Sequence, residues 1–180
     1  MTRFAISIIA VLGCVTFAAS AQARDLNLLF LGDRGHHQPA ERFAQLQPVL
    51  VSRSVKLTYT ENVGDLNPAT LAKYDGLVVY ANIDAIAPEQ ETALLEYVAT
   101  GHGFIPLHCA SFCFRNSPKY VELVGGQFQR HGKEVMRTEI VLPDHEIMRG
   151  FAGFESFDET YHHAKHNEAN RVVLETHEEP

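Results

Sequence analysis

The residues best suited to chemistry in this sequence are histidines, one cysteine and a few carboxylates. His108-Cys109-Ala110-Ser111 follows a short apolar run and reads as a sharp turn from a strand into a helix. Turns of that kind expose catalytic groups at the edge of a sheet. Cys109 is a candidate nucleophile there, because a helix N-terminus beside it would lower its pKa and favour the thiolate. A small cysteine packed behind the turn is the structural alternative. His108 precedes the cysteine and no glycine follows it, so the G-x-S-x-G pattern is not matched. His108 itself is a candidate base, metal ligand or donor to a substrate oxygen; a structural hydrogen bond holding the turn is its other reading.

Two further loops carry polar groups. Gly32-Asp33-Arg34-Gly35-His36-His37 follows an apolar run, and Asn82 and Asp84 follow another. In open parallel sheets ligands bind outside the carboxyl ends of the strands, so these loops share a rim with His108. The second half holds His131, His145, His162, His163 and His166, with Asp144, Glu155, Asp158 and Glu159 nearby. On a helix, His162-x-x-x-His166 would set two imidazoles on one face for a divalent metal, yet residues 157–161 (FDETY) read as loop or strand. In a strand Glu159 and Tyr161 share a face. A carboxylate beside a phenol suits proton transfer or the binding of sugar hydroxyls, while a surface loop is the alternative. The residues leave a divalent metal open without fixing a ligand set. They exclude covalent haem, since there is no C-x-x-C-H.

Positioning these groups calls for alternating strands and helices. Residues 26–31 (LNLLFL), 55–60 (VKLTYT), 76–81 (GLVVYA) and 104–107 (FIPL) are short apolar or alternating runs, which predicts strands. Residues 39–51 carry Phe43, Leu46, Val49 and Leu50 at helical spacing, and Asn67-Pro68 is an N-cap followed by proline at the first helical position. Pro88 opens a helix through Leu94, Leu95 and Val98, and residues 118–124 form a short helix stopped by Gly125-Gly126. The order predicts an α/β fold, an open parallel sheet with helices on both faces. Beyond Gly126, residues 134–142 (EVMRTEIVL) and 171–175 (RVVLE) read as more polar strands. The sequence stops at Glu178-Glu179-Pro180 with nothing further to close the sheet, so a truncated C-terminal part is expected.

Residues 1–23 are expected to be a signal peptide. Arg3 gives a positive start, residues 4–19 are apolar without a charge, and Ala21-x-Ala23 fits signal peptidase. A membrane anchor is the competing reading, the run approaching the roughly 17-residue lower limit for a span. Val11-Leu12-Gly13-Cys14 resembles a lipobox only loosely. Cleavage after Ala23 leaves residues 24–180 as one domain, exported to the periplasm or beyond and free of the membrane. The chain's net charge of −7 becomes −8 once Arg3 is removed, which gives no attraction for phosphate backbones, so nucleic acid is not an expected partner. Cys109 and Cys113 would then sit in an oxidising compartment, at a spacing awkward for a disulfide. A homo-oligomer is compatible with the sequence, which does not set the oligomeric state.

Three stretches carry a family resemblance. Gly103-Phe104-Ile105-Pro106-Leu107-His108-Cys109-Ala110, followed by Tyr120-x-x-Leu-Val-Gly-Gly-x-Phe128-x-x-His131, resembles the signature of ThuA-like (trehalose utilisation) domains. Asp144-His145-Glu146-Ile147 and Asp158-Glu159-Thr160-Tyr161 resemble two further elements of that family, with Glu146 where proline is usual. The resemblance implies a class I glutamine-amidotransferase-like fold of flavodoxin-like architecture, without implying amidotransferase activity. It also implies a small carbohydrate, a glycoside or oxidised sugar, as ligand of a hydrolase or isomerase. His108, His131, Glu159 and Tyr161 fall on the family's motif positions, and the loop with His36 and His37 is similar to its first loop. Cys109 falls on a variable one. On this reading His108 and Glu159 are the acid/base candidates, while His36, His37, His131 and Tyr161 orient sugar hydroxyls or a metal. The competing function is a non-catalytic carbohydrate-binding or interaction module of a larger exported assembly. A cysteine hydrolase would require a histidine at the Cys109 sulfur.

Overall fold

The computed structural model describes residues 24–169 and 172–178. The expected signal peptide lies outside the described residues, as does Arg171 at the start of the last predicted strand.

Four parallel strands form the main sheet: β1 (Leu26–Leu31), β2 (Val55–Thr60), β3 (Gly76–Val79) and β4 (Gly103–Pro106), in the spatial order β2-β1-β3-β4. This is the flavodoxin-like strand order. The register pairs Leu28 with Leu57 and with Gly76, and Gly76 with Gly103. The connecting helices are α1 (Pro39–Val51), α2 (Pro68–Leu71), α3 (Pro88–Ala99) and α4 (Pro118–Val124). Each opens with proline, whose fixed φ suits the first turn and whose missing N–H costs nothing there. Side-chain caps complete two of them: Asn67 Oδ1 accepts from the Thr70 amide at 3.0 Å, and Ser117 Oγ from the Tyr120 amide at 3.0 Å.

The two faces of the sheet follow from strand alternation. Leu29, Leu31, Leu77 and Val79 point to one side and pack with Leu71 of α2, Leu94 and Tyr97 of α3, and Tyr120 of α4. Phe30 and Val78 point to the other, where Phe43 and Leu50 of α1 cover them. Burying one such aliphatic side chain contributes roughly 1.5–3 kcal/mol. Helices therefore lie on both faces, as predicted. Coverage by α1 is partial, since Ile105 of β4 stays 41% exposed beside an apolar groove that also reaches Leu28, Leu46 and Leu107. Among the described residues no helix is long and apolar enough to cross a membrane.

The second half is antiparallel. Strand β5 (Gln127–His131) pairs with β8 (Tyr161–Ala164), and β6 (Glu134–Ile140) lies between β7 (Glu155–Asp158) and β9 (Glu175–Glu178). Two expectations are corrected here. The strand predicted over 134–142 ends at Ile140, and the one predicted over 171–175 is β9, starting at Glu175. The Leu174 carbonyl accepts from the Val141 and Leu142 amides at 2.9 and 3.2 Å, so the apolar Val-Val-Leu run enters as an irregular bend and the polar residues after it form the ladder. Cys109 and Cys113 are both free thiols. Cys113 Sγ donates to the Ala81 carbonyl at 2.6 Å.

Candidate functional site

The site is built outward from His108. Strand β4 delivers the chain to Leu107, and His108 then takes a positive φ of 47° as it enters a tight 3-10 turn, His108–Phe112. A non-glycine residue in that conformation costs about 1–2 kcal/mol and persists where its surroundings hold it. They do so through several bonds. The Ala110 amide donates to the Leu107 carbonyl at 2.9 Å, and the Tyr120 hydroxyl donates to the Ala110 carbonyl at 3.0 Å. Ser111 Oγ donates to the His108 carbonyl at 3.2 Å, which leaves its oxygen to accept from His163 Nε2 at 3.1 Å. His163 belongs to β8, so this contact ties the antiparallel half to the turn.

The loop after β1 brings the next imidazoles. Asp33 shapes it, one carboxylate oxygen accepting from the Gly35 amide at 2.6 Å and the other from the Asn82 amide. Gly32 is required there by close approach, because a Cβ would stand 2.6 Å from the Tyr59 ring and 2.7 Å from Pro39 Cβ. His36 and His37 lie 4.0 Å apart between ring centroids, tilted by 40°, and His37 meets His108 edge-on at 4.8 Å.

The antiparallel half supplies the remaining groups. Glu159 lies in the short link between β7 and β8, its amide donating to Asp158 Oδ1 at 2.8 Å. Its Oε2 is 3.4 Å from His108 Nε2 and its Oε1 is 3.9 Å from His131 Nε2. His131 Nδ1 lies 2.9 Å from the Gly132 carbonyl. A carbonyl can only accept, so the proton sits on Nδ1 and Nε2 faces the carboxylate. Tyr161 lies against His108 at 4.3 Å and against Phe128 at 4.5 Å, and Phe128 meets Phe112 at 5.8 Å.

These side chains enclose a pocket of about 170 Å³ lined by His36, His37, His131, Glu159 and Tyr161, with Phe112, Phe128 and Asn82 completing it. His108 stands at its edge. The amide oxygen of Asn82 is buried without a hydrogen-bond partner among the described residues. Burial sets the electrostatics. It lowers the pKa of His108 against the opposing pull of Glu159 and Asp158, and it lowers that of His37, helped by His108 and His36. In both the shift favours the neutral imidazole. Burial, and then the Glu159 carboxylate, hold the Tyr161 phenol above its ordinary value. Neutral imidazoles beside one carboxylate can move a proton or ligate a metal ion; the ligand atoms of His37, His108 and Glu159 lie within 4.8 Å of one another.

The structure thus brings His36, His37, His108, His131, Glu159 and Tyr161 together. It leaves Cys109 out. That residue is completely buried, and burial pushes its thiol up to about 12, opposite to the lowering expected from a helix N-terminus. It sits within the short 3-10 turn His108–Phe112, which is too brief to offset desolvation. Of the other polar residues named from the sequence, Asn82 lines the pocket and Asp33 shapes the loop beside it, whereas several lie elsewhere. Arg34 pairs with Glu61 at 2.5 Å, Asp84 with Arg115 at 2.6 Å and Glu155 with Arg137 at 2.7 Å. His145 accepts from the Ile147 amide at 3.3 Å as a cap. His162 lies in strand β8 and His166 follows it, so the two share no helix face. Sequence reasoning missed the supporting roles of Phe112, Phe128 and the Ser111–His163 contact. The only sequence hint was an aromatic residue close to each of His108 and His131.

The sequence profile of the trehalose utilisation family, ThuA, matches residues 27–180. A ThuA-like protein from Bacteroides uniformis superposes with a TM-score of 0.71 at 17% identity, over 91% of this chain and 71% of that one. One from Parabacteroides merdae superposes with a TM-score of 0.73 at 16% identity, over 86% of this chain and 68% of that one. At such identities the likeness establishes the fold. No curated protein matches in sequence. With the profile covering the parallel sheet, the turn at His108 and the antiparallel half alike, this chain belongs to the ThuA family.

Proposed function

We propose that this chain is an exported enzyme that binds a small carbohydrate in the pocket around Glu159 and moves protons on it. The observation that carries the reading is the convergence of one carboxylate and three imidazoles on an aromatic wall around about 170 Å³, with the His108 ring against Glu159 and His37 at its edge. A sugar ring offers hydroxyls at its rim and apolar C–H groups on its faces. Glu159, His37 and His131 match the first, and Phe128 and Tyr161 the second.

The reaction class follows from the number of carboxylates. Glycoside hydrolases generally set two carboxyl groups across the scissile bond. Among the described residues Glu159 is the only carboxylate that lines this pocket. Asp33 is engaged by the Gly35 and Asn82 amides. That favours proton transfer on an oxidised sugar, as in isomerisation next to a keto group, over a two-carboxylate glycosidase.

The test is to incubate the purified protein with a panel of keto-sugars and glycosides and follow turnover by NMR. Turnover of a keto-sugar is expected. Glu159→Gln and His108→Ala should lower it by about 10²-fold or more while circular dichroism stays unchanged. Sugar binding without turnover would instead make the chain a carbohydrate-binding module. Absence of binding across the panel would overturn the reading.

A further inference from the structure

We propose that His37, His108 and Glu159 form a site for one divalent ion of the zinc class at the pocket. The inference rests on that pocket being the ligand site described above and deepens it by naming how a sugar oxygen is gripped.

The geometry argues for an ion more than for a direct ion pair. His108 Nε2 and Glu159 Oε2 stand 3.4 Å apart, longer than the roughly 2.7–2.9 Å of a charge-assisted hydrogen bond. Two ligands on one tetrahedral zinc, each about 2.0–2.1 Å from the metal, lie about 3.4 Å from each other. That edge of the coordination shell is already formed. All three ligand atoms lie within 4.8 Å of one another, so His37 has to close by about 1.4 Å or less to reach the same spacing. That is a small rotation of a side chain in a loop. Among the described residues the His37 ring makes ring contacts with His36, His108 and Tyr80 and no hydrogen bond, so ligation would break none.

The donor set selects the ion class. Two imidazole nitrogens and one carboxylate suit zinc and its neighbours, whereas calcium and magnesium take oxygen shells. Three protein ligands leave a position for a water or a substrate oxygen, and two of the three, His37 and Glu159, line the pocket. With His108 and Glu159 engaged as ligands, His131 remains for proton transfer. Its Nδ1 bond to the Gly132 carbonyl keeps Nε2 directed at the site, 3.9 Å from Glu159 Oε1.

The test strips the purified protein with a chelator, titrates Zn²⁺ against a competing indicator, and records the visible spectrum of the Co²⁺ form. One ion per chain and a four-coordinate Co²⁺ spectrum are expected. His37→Ala, His108→Ala and Glu159→Gln should each weaken binding by about 100-fold or more, since changes to outer-shell partners alone cost 10–100-fold. His145→Ala should leave it unchanged. Circular dichroism checks that the variants fold, and Glu159→Gln keeps the side-chain volume. Affinity undiminished in the three variants, or no stoichiometric binding, overturns the ion site. Sugar turnover that survives chelation in a chain that binds no zinc upholds the carbohydrate reading and removes the ion alone. Zinc bound at the triad of a chain that takes no sugar does the reverse.

Discussion

His108 holds a left-handed backbone, φ 47°, in a turn fixed from both sides by Ser111 and Tyr120. Strain of that kind is retained where the side chain has work to do, and here the ring meets His37, Tyr161 and Glu159. The conformation can be tested apart from the chemistry. His108→Gly and His108→Ala both delete the ring, but only glycine adopts positive φ without cost. His108→Gly should therefore be more stable than His108→Ala by about 1 kcal/mol in denaturant melts, with both inactive. Equal stability would mean that the turn carries no strain. Cys109, one residue on, has the opposite character. With its side chain fully buried, it should react with iodoacetamide only as fast as the native state opens, so labelling should track urea concentration. Rapid labelling in native buffer would return Cys109 to the list of reactive groups.

Elements differ in how far they explain themselves. The parallel half is readable because β1, β3 and β4 are short apolar runs and β2 alternates, with β3 buried along its whole length, and each helix announces itself with proline at its first position. α3 shows the energetic side: Leu94 is completely buried between it and the sheet. Leu94→Ala should cost about 2–5 kcal/mol in a thermal or urea melt. Ile105→Ala, at a position 41% exposed on the face that α1 covers only in part, should cost about 1 kcal/mol or less. A larger loss at Ile105 than at Leu94 would reverse that picture of the core. The antiparallel half was much less legible. β5 (QFQRH), β7 (ESFD) and β8 (YHHA) are short and polar, and their partners lie far along the chain, so local patterning cannot reveal them. The histidines and Glu159 could be named as chemically able. That Glu159 faces both His108 and His131 depends on β5 pairing with β8, and no spacing in the sequence encodes that pairing.

At the scale of the molecule, the site belongs to neither half. His37 and His108 come from the rim of the parallel sheet, whereas His131, Glu159 and Tyr161 come from the antiparallel strands. The Phe112–Phe128 contact and the Ser111–His163 bond join the halves beside it. A ligand in the pocket must then stabilise the joined unit, because opening the seam would dismantle its own binding site. At a concentration 100 times its Kd, a ligand that binds only the folded state adds about 2.7 kcal/mol. For a chain of this size that corresponds to a rise in Tm of roughly 5–11 °C, at about 2–4 °C per kcal/mol. Zn²⁺ or a bound keto-sugar should produce such a shift in a single unfolding transition, and Glu159→Gln should abolish it. Two transitions, of which the ligand moves only one, would show that the halves unfold independently and that the site is carried by whichever half responds.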